Sequence, residues 1–166
     1  MVIETKRLIL REYTMDDFDE LYLLLSDPIT MSHYPKPYDS NGTKRWIDWC
    51  INSYKENGFG LLAIILKETN TFIGDCGLSM QNIDGESLPE IGYHIKKEYW
   101  RNGYAKEAAN AVKDWAFNNT KFETLYSYMT KDNIGSYKTA ESIGMTKVKE
   151  YIDGDEHLFV YSLNKE

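Results

Sequence analysis

The chain has 166 residues, 19 Lys plus Arg against 26 Asp plus Glu, a formal charge of −7, and 42% hydrophobic residues. That length suits one globular domain spanning residues 1–166 whose core needs neither disulfides nor a structural metal. A surface that tracks nucleic-acid phosphates needs clustered Lys and Arg, and a membrane-spanning helix needs about 20 apolar residues; neither pattern occurs, so no nucleic acid and no membrane are expected as partners.

Arg7 to Tyr13 is rich in β-compatible residues and predicts a first strand. Thr14 is a candidate N-cap, and Phe18, Leu21, Tyr22 and Leu25 follow at helical spacing, so an amphipathic helix should run to just before Pro28. Ile29 to Tyr38 carries Pro35 and Pro37 and predicts an irregular, lid-like segment. After Ser40 or Thr43, Trp46, Ile47, Cys50, Ile51 and Tyr54 share one helical face, which closes near Asn57-Gly58. Leu61 to Lys67 and Phe72 to Met80 predict two strands joined through Thr69-Asn70, and Asn82 to Ser87 a polar loop.

Glu90 to Ile95 returns to strand, and Gly103 to Asn119 is the clearest helix. Its stripe of Ala105, Ala108, Ala109, Val112, Trp115 and Ala116 would let the axis approach a sheet closely. A strand at Glu123 to Met129, a short helix at Asn133 to Ile143 stopped by Gly144, and a hairpin around Asp153-Gly154-Asp155 complete the chain. The order implies an α/β (α+β) fold around a mixed, largely antiparallel sheet.

One segment carries chemistry. From Glu90 to Ala108 a strand, a short loop and a helix start follow in direct succession. A helix start exposes unpaired N–H groups and about half a positive charge, so an acidic protein can hold a pyrophosphate there. Gly103 would let the backbone approach the ligand, while a plain strand-to-helix connection explains the same residues.

Several segments in order resemble the GNAT superfamily of acetyl-CoA-dependent N-acetyltransferases, Rim-type branch (ribosomal-protein N-terminal acetyltransferase-like): Thr5 to Arg11, Phe72-Ile-Gly-Asp75, Glu90-Ile-Gly-Tyr93, Tyr99 to Ala108, and Asn133-Ile-Gly-Ser136 onward to Met145. The family's pyrophosphate motif falls on Trp100 to Ala105; Trp100 stands where Gln or Arg is frequent, a substitution common in the Rim-type branch. The resemblance implies a seven-stranded sheet flanked by about four helices, with strands 4 and 5 splayed around the pantetheine arm of acetyl-CoA. Main-chain contacts to the cofactor are implied at Tyr93 and Ile95, pyrophosphate contacts at the amides of Arg101, Asn102, Gly103, Tyr104, Ala105 and Lys106, and a cofactor-binding place for Trp100 at the head of the motif. Asn133 matches the asparagine that touches the cofactor arm, although helix N-capping also favours Asn there.

Acetyl transfer requires a neutral amine, and a lysine-like amine with a pKa of about 10.4 is almost entirely protonated at pH 7. The resemblance puts Glu90 beside the thioester as general base, directly or through water, with an exposed strand-end carboxylate as the alternative. Ser136 sits where some Rim-type enzymes have a serine proposed to protonate the thiolate; a local backbone hydrogen bond is its plainer role. The tyrosine that other GNAT enzymes use as acid falls on Ala140. His33, His94 and His157 have no partner visible in sequence and are expected to serve surface or packing roles, as Tyr137, Cys50 and Cys76 serve packing. No metal-ligand spacing occurs.

The first two helices and the Ile29 to Tyr38 segment should wall the acceptor site, with Tyr34, Tyr38, Trp46 and Trp49 at an aromatic mouth made acidic by Asp39 and Asp48. The expected acceptor is a primary amine: a protein N-terminus, a polyamine or an amino sugar. The alternative is a CoA-sensing or protein-binding module of the same fold without turnover. Two distant cysteines and no h-region in the first residues lead to a cytoplasmic expectation, and a homodimer is compatible with the resemblance.

Overall fold

The computed structural model describes residues 1–166. Eight strands form one sheet: β1 (Val2–Glu4), β2 (Leu8–Glu12), β3 (Leu61–Leu66), β4 (Thr71–Ile83), β5 (Glu86–Ile95), β6 (Thr124–Thr130), β7 (Thr146–Asp153) and β8 (Glu156–Asn164). Their spatial order is β1-β2-β3-β4-β5-β6-β8-β7, antiparallel throughout except for β5 against β6. The expected count of seven strands is corrected to eight. The extra strand is β1, whose three residues fold back on β2 through a turn at Thr5 to Arg7 and are too few to show alternation.

Four helices flank the sheet: α1 (Phe18–Ser26), α2 (Ser40–Asn57), α3 (Tyr104–Asn119) and α4 (Ile134–Ser142). Each start has a side-chain or glycine device. Thr14 and Asp17 form a capping box on the short 3-10 turn that precedes α1, Asp39 accepts from the Gly42 amide at α2, and Asn133 accepts from the Ser136 amide at α4. Asp39 is therefore a cap and Asp48 pairs with Lys44 on an exposed helix face; neither lines the large cavity beside β5, at whose mouth they were expected.

The sheet separates two apolar layers. Leu62, Ile64 and Leu66 of β3 face Ala108, Ala109, Val112 and Ala116 of α3, whereas Leu61, Ala63 and Ile65 face Leu21, Leu24, Ile47 and Cys50 of α1 and α2. This is why β3 reads as an unbroken apolar run: both of its faces are covered. Small residues on α3 bring its axis close to the sheet, and its N-terminus meets the end of β5.

The segment Asn82 to Ser87, expected as a polar loop, is mostly ribbon. β4 and β5 continue until Ile83 pairs with Glu86 across a turn at Asp84 and Gly85, both with positive φ (51° and 84°).

Candidate active site

β5 and β6 are paired only at Glu90 and Tyr126 and then diverge. Within the gap the Ser127 hydroxyl donates to the Ile91 carbonyl at 2.8 Å. That carbonyl therefore faces β6, and by strand alternation the main-chain groups of Tyr93 and Ile95 face the gap as well. A cavity of about 800 Å³ occupies it. Glu90, Tyr93, Ile95, Trp100, Arg101, Gly103, Tyr104, Ala105, Lys106, Asn133 and Ser136 all line this one space.

Two of the expected contacts are differently disposed. Asn102 is not on the wall; its amide closes the loop from behind, donating to the carbonyls of Tyr99 (3.1 Å) and Trp100 (3.0 Å). The Ile95 carbonyl already accepts the Trp100 indole N–H at 2.7 Å, so Trp100 seals the end of β5.

At the helix end of the gap, Arg101 (φ 63°) and Gly103 (φ 78°) turn the chain so that α3 starts at Tyr104 with no side-chain cap. The amides of Tyr104 to Lys106 then lack helical acceptors and leave an edge of free N–H groups of the kind that can hold an anion. Arg7 braces this loop. It donates from Nη1 to the Asn102 carbonyl (2.9 Å) and from Nε to Glu107 Oε2 (2.6 Å), and its guanidinium lies 4.4 Å from the Tyr104 ring centre. Glu107 also accepts from the Arg7 amide and the Thr5 hydroxyl; burial opposes its charge, but these bonds hold its pKa below the usual value.

Glu90, Gly92 and His94 share the opposite face of β5. A Cβ on Gly92 would lie 3.1 Å from Glu90 Oε1, so the glutamate leans along the strand over the space that a side chain would occupy. Burial raises the Glu90 pKa to about 7, against the opposing effects of His94 and a hydrogen bond from the Tyr128 amide. His94 is held by Asp75, fully buried on β4: Nδ1 lies 2.6 Å from Asp75 Oδ1, and the other carboxylate oxygen accepts from Tyr13 Oη (2.8 Å) and Trp46 Nε1 (3.3 Å). Nε2 of His94 lies 2.5 Å from the Tyr34 hydroxyl. Burial opposes charging of His94, but Asp75 and Glu90 outweigh it and raise its pKa above the ordinary histidine value.

The Ile29 to Tyr38 segment is pinned at several points. Asp27 caps Thr30 and pairs with Lys97, Met31 is buried, the Tyr38 amide donates to the Leu25 carbonyl, and Tyr34 reaches His94. Tyr34, Tyr38, Trp46 and Trp49 line the cavity on this side, with Tyr128 and Glu156 opposite.

The sequence reading missed the Asp75 to His94 pair. Its signal was the Asp84-Gly85 turn, which pairs residues equidistant from it, Asp75 with His94 included. Ser136 sits under Tyr93, whose hydroxyl donates to the Ser136 carbonyl at 2.6 Å and lies 3.5 Å from the Ser136 hydroxyl. Tyr137 stacks with Tyr161 and packs on Phe159, His33 lies 3.6 Å from Asp132, and His157 pairs with Glu150. Cys50 and Cys76 are free and buried.

A parallel strand pair that opens beside the free amides of a long helix is the architecture of an acyl-CoA-dependent acetyltransferase. The acetyltransferase (GNAT) domain family matches residues 7–146, and the chain belongs to that family. An N-acetyltransferase of Bacillus licheniformis, p20, is 32% identical over 135 residues, covering 80% of this chain and 75% of p20. The crystal structure of an acetyltransferase from Agrobacterium tumefaciens str. C58 is 31% identical and superposes with a TM-score of 0.87 over 99% of this chain and 95% of its own. The fold is shared, at 17% identity and a TM-score of 0.76 over 96% of both chains, with spermidine N-acetyltransferase from Vibrio cholerae in complex with CoA and spermine. The protein is thus an acetyltransferase that uses acetyl-CoA. No helix is long and apolar enough to cross a membrane.

Proposed function

We propose that this chain moves the acetyl group of acetyl-CoA to a primary amine by direct attack on the thioester, with Glu90 as general base, and that it belongs to the Rim-type branch. The observation that carries this reading is the single cavity joining the α3 amides to a half-buried carboxylate whose pKa of about 7 suits proton uptake near neutrality.

The residues present fit acetyl-CoA. The free amides of Tyr104 to Lys106, with Arg101 and Lys106 beside them, would hold the pyrophosphate, and the gap-facing main chain of Tyr93 would pair with the pantetheine arm. The bound thioester supplies an activated carbonyl and a good leaving group. Asn133 spends its oxygen on the α4 cap, leaving its NH2 for the cofactor arm. Glu90 takes the amine's proton, and gap-facing amides stabilise the developing oxyanion. Ser136 is the candidate acid through its hydroxyl on the cavity wall.

The acceptor is a protein N-terminus, a polyamine or an amino sugar, entering past Tyr34, Tyr38, Trp46 and Trp49. Two buried free thiols favour a reducing compartment such as the cytoplasm. Turnover is tested by incubating the protein and acetyl-CoA with a mixed pool of amines and N-terminal peptides. Free thiol and one acetylated product by mass spectrometry are expected; cofactor binding without thiol release would favour the sensing module instead.

A further inference from the structure

Acetylation of an ammonium group removes two protons from its nitrogen: one before attack, to free the lone pair, and one as the N–C bond forms. Both leave the nitrogen before C–S cleavage frees the thiolate, so the site must hold two protons until then. Glu90 is one acceptor on the proposed reading, and on that reading the following inference rests. A second group of matching geometry stands on the same strand face, two alternations away across Gly92.

We propose that Tyr34, His94 and Asp75 form a proton relay that receives the second proton at the Tyr34 hydroxyl and stores it on His94. Asp75 accepts at Oδ1 from His94 Nδ1, which leaves Nε2 as the basic nitrogen aimed at the cavity. In the neutral Nδ1–H tautomer the Tyr34 hydroxyl, 2.5 Å away, is the donor to that nitrogen. Tyr13 and Trp46 satisfy the other Asp75 oxygen, fixing the carboxylate where it cannot turn away. His94 lies between the Trp46 and Tyr34 rings, with centroids 5.2 and 5.7 Å away, so the imidazole plane is set as well.

The step balances. As the amine nitrogen bonds to the acetyl carbon, its N–H breaks and the proton goes to the Tyr34 oxygen, while the Tyr34 proton passes to His94 Nε2. The C–S bond breaks with its electron pair on sulfur, and the thiolate takes a proton from the Ser136 hydroxyl, which recovers one from water. The imidazolium, paired with Asp75, then returns its proton to water through Tyr34, a residue 38% exposed that lines the cavity. Tyr34 need not ionise in this transfer: its hydroxyl end is buried against His94, and that burial with the charge of Glu90 pushes its pKa well up.

The charged groups facing His94 are Asp75 from β4 and Glu90 from β5; both favour the imidazolium. From the elements packed around them, Tyr13, Cys50 and Tyr128 are driven up by burial and stay protonated, Trp46 is neutral, and Tyr38 closes the cavity beside Trp46. Tyr34 and His94 touch the reacting proton; Asp75 is a positioning residue.

The test compares Tyr34→Phe, His94→Gln and the double variant in the full chain with acetyl-CoA and an accepted amine. Tyr34→Phe removes one oxygen from a half-exposed ring, so folding is retained and thermal stabilisation by CoA should equal that of the wild type. Each single variant should lower kcat by about 10²-fold, and the double variant by no more than either alone. On the acid limb of log kcat/KM against pH, the slope in each variant should be one lower than in the wild type. Nitrogen-15 shifts of His94 should report the Nδ1–H tautomer, lost in Asp75→Asn. A wild-type rate and slope in Tyr34→Phe, or an Nε2–H tautomer in the wild type, would overturn the relay alone. Absence of thiol release by the wild type with every amine would remove the acetyl-transfer reading, and the relay with it.

Discussion

Glu90 carries its cost visibly. Burial holds its pKa near 7, so between about 4.5 and about 7 the folded chain keeps a proton that the unfolded chain has released. Stability contributed by this site is therefore greatest at low pH and falls as pH rises through that window. Glu90→Gln has no charge to bury and should be more stable than the wild type by roughly 3 kcal/mol above pH 7, with no gain at pH 4, measured by denaturant melts. The same substitution should lower kcat by about 10²- to 10⁴-fold and remove one ionisation from the rate profile, while CoA affinity is kept. A variant that loses activity without gaining alkaline stability would show that the carboxylate is solvated. The cysteines are the counterexample: burial drives both thiols up, with Asp75 adding to it, so neither should react with iodoacetamide in the folded protein at pH 8.

At the scale of elements, the start of α3 depends on a residue nearly a hundred positions earlier. Arg7 joins β2 to the loop carbonyl of Asn102, to Glu107 and to the Tyr104 ring. Arg7→Met should raise the Kd for CoA about fivefold to twentyfold, a loss of about 1–2 kcal/mol spread over partly exposed contacts. kcat at saturating cofactor should hold, with calorimetry and initial rates as the paired readouts; a matching fall in kcat would mean that Arg7 acts beyond the loop. Gly103→Glu sets a carboxylate and a left-handed non-glycine residue at the anion edge and should weaken CoA binding by more than tenfold. Helix periods made α1, α2 and α3 legible, but β1 was too short to register, and the polar residues from Asn82 to Ser87 hid a ribbon held by backbone pairing. Such pairing depends on turn geometry, which side-chain polarity does not report.

For the molecule as a whole, the cofactor should act as a staple between the two strands that diverge and the helix beside them. Acetyl-CoA at 100 times its Kd should stabilise the fold by about 2.7 kcal/mol, or about 5–10 °C in Tm for a chain of this size. No shift would mean that the gap between β5 and β6 does not admit the ligand. The candidate site was legible where its parts are neighbours in sequence: Glu90, Tyr93 and the loop from Trp100 to Lys106 lie within one strand, turn and helix start, so local order alone brings them together. The sequence by itself determined this much: the α/β order of elements, the glycine-led start of α3 and the apolar faces. Local propensity and periodicity depend only on residues a few positions apart. Tertiary structure alone decided that His94 has a buried carboxylate, that Tyr34 reaches it across sixty residues, and that Arg7 braces the loop before α3. Those contacts join residues whose separation along the chain carries no periodic signal, and only closing the sheet and seating the helices on it makes them neighbours.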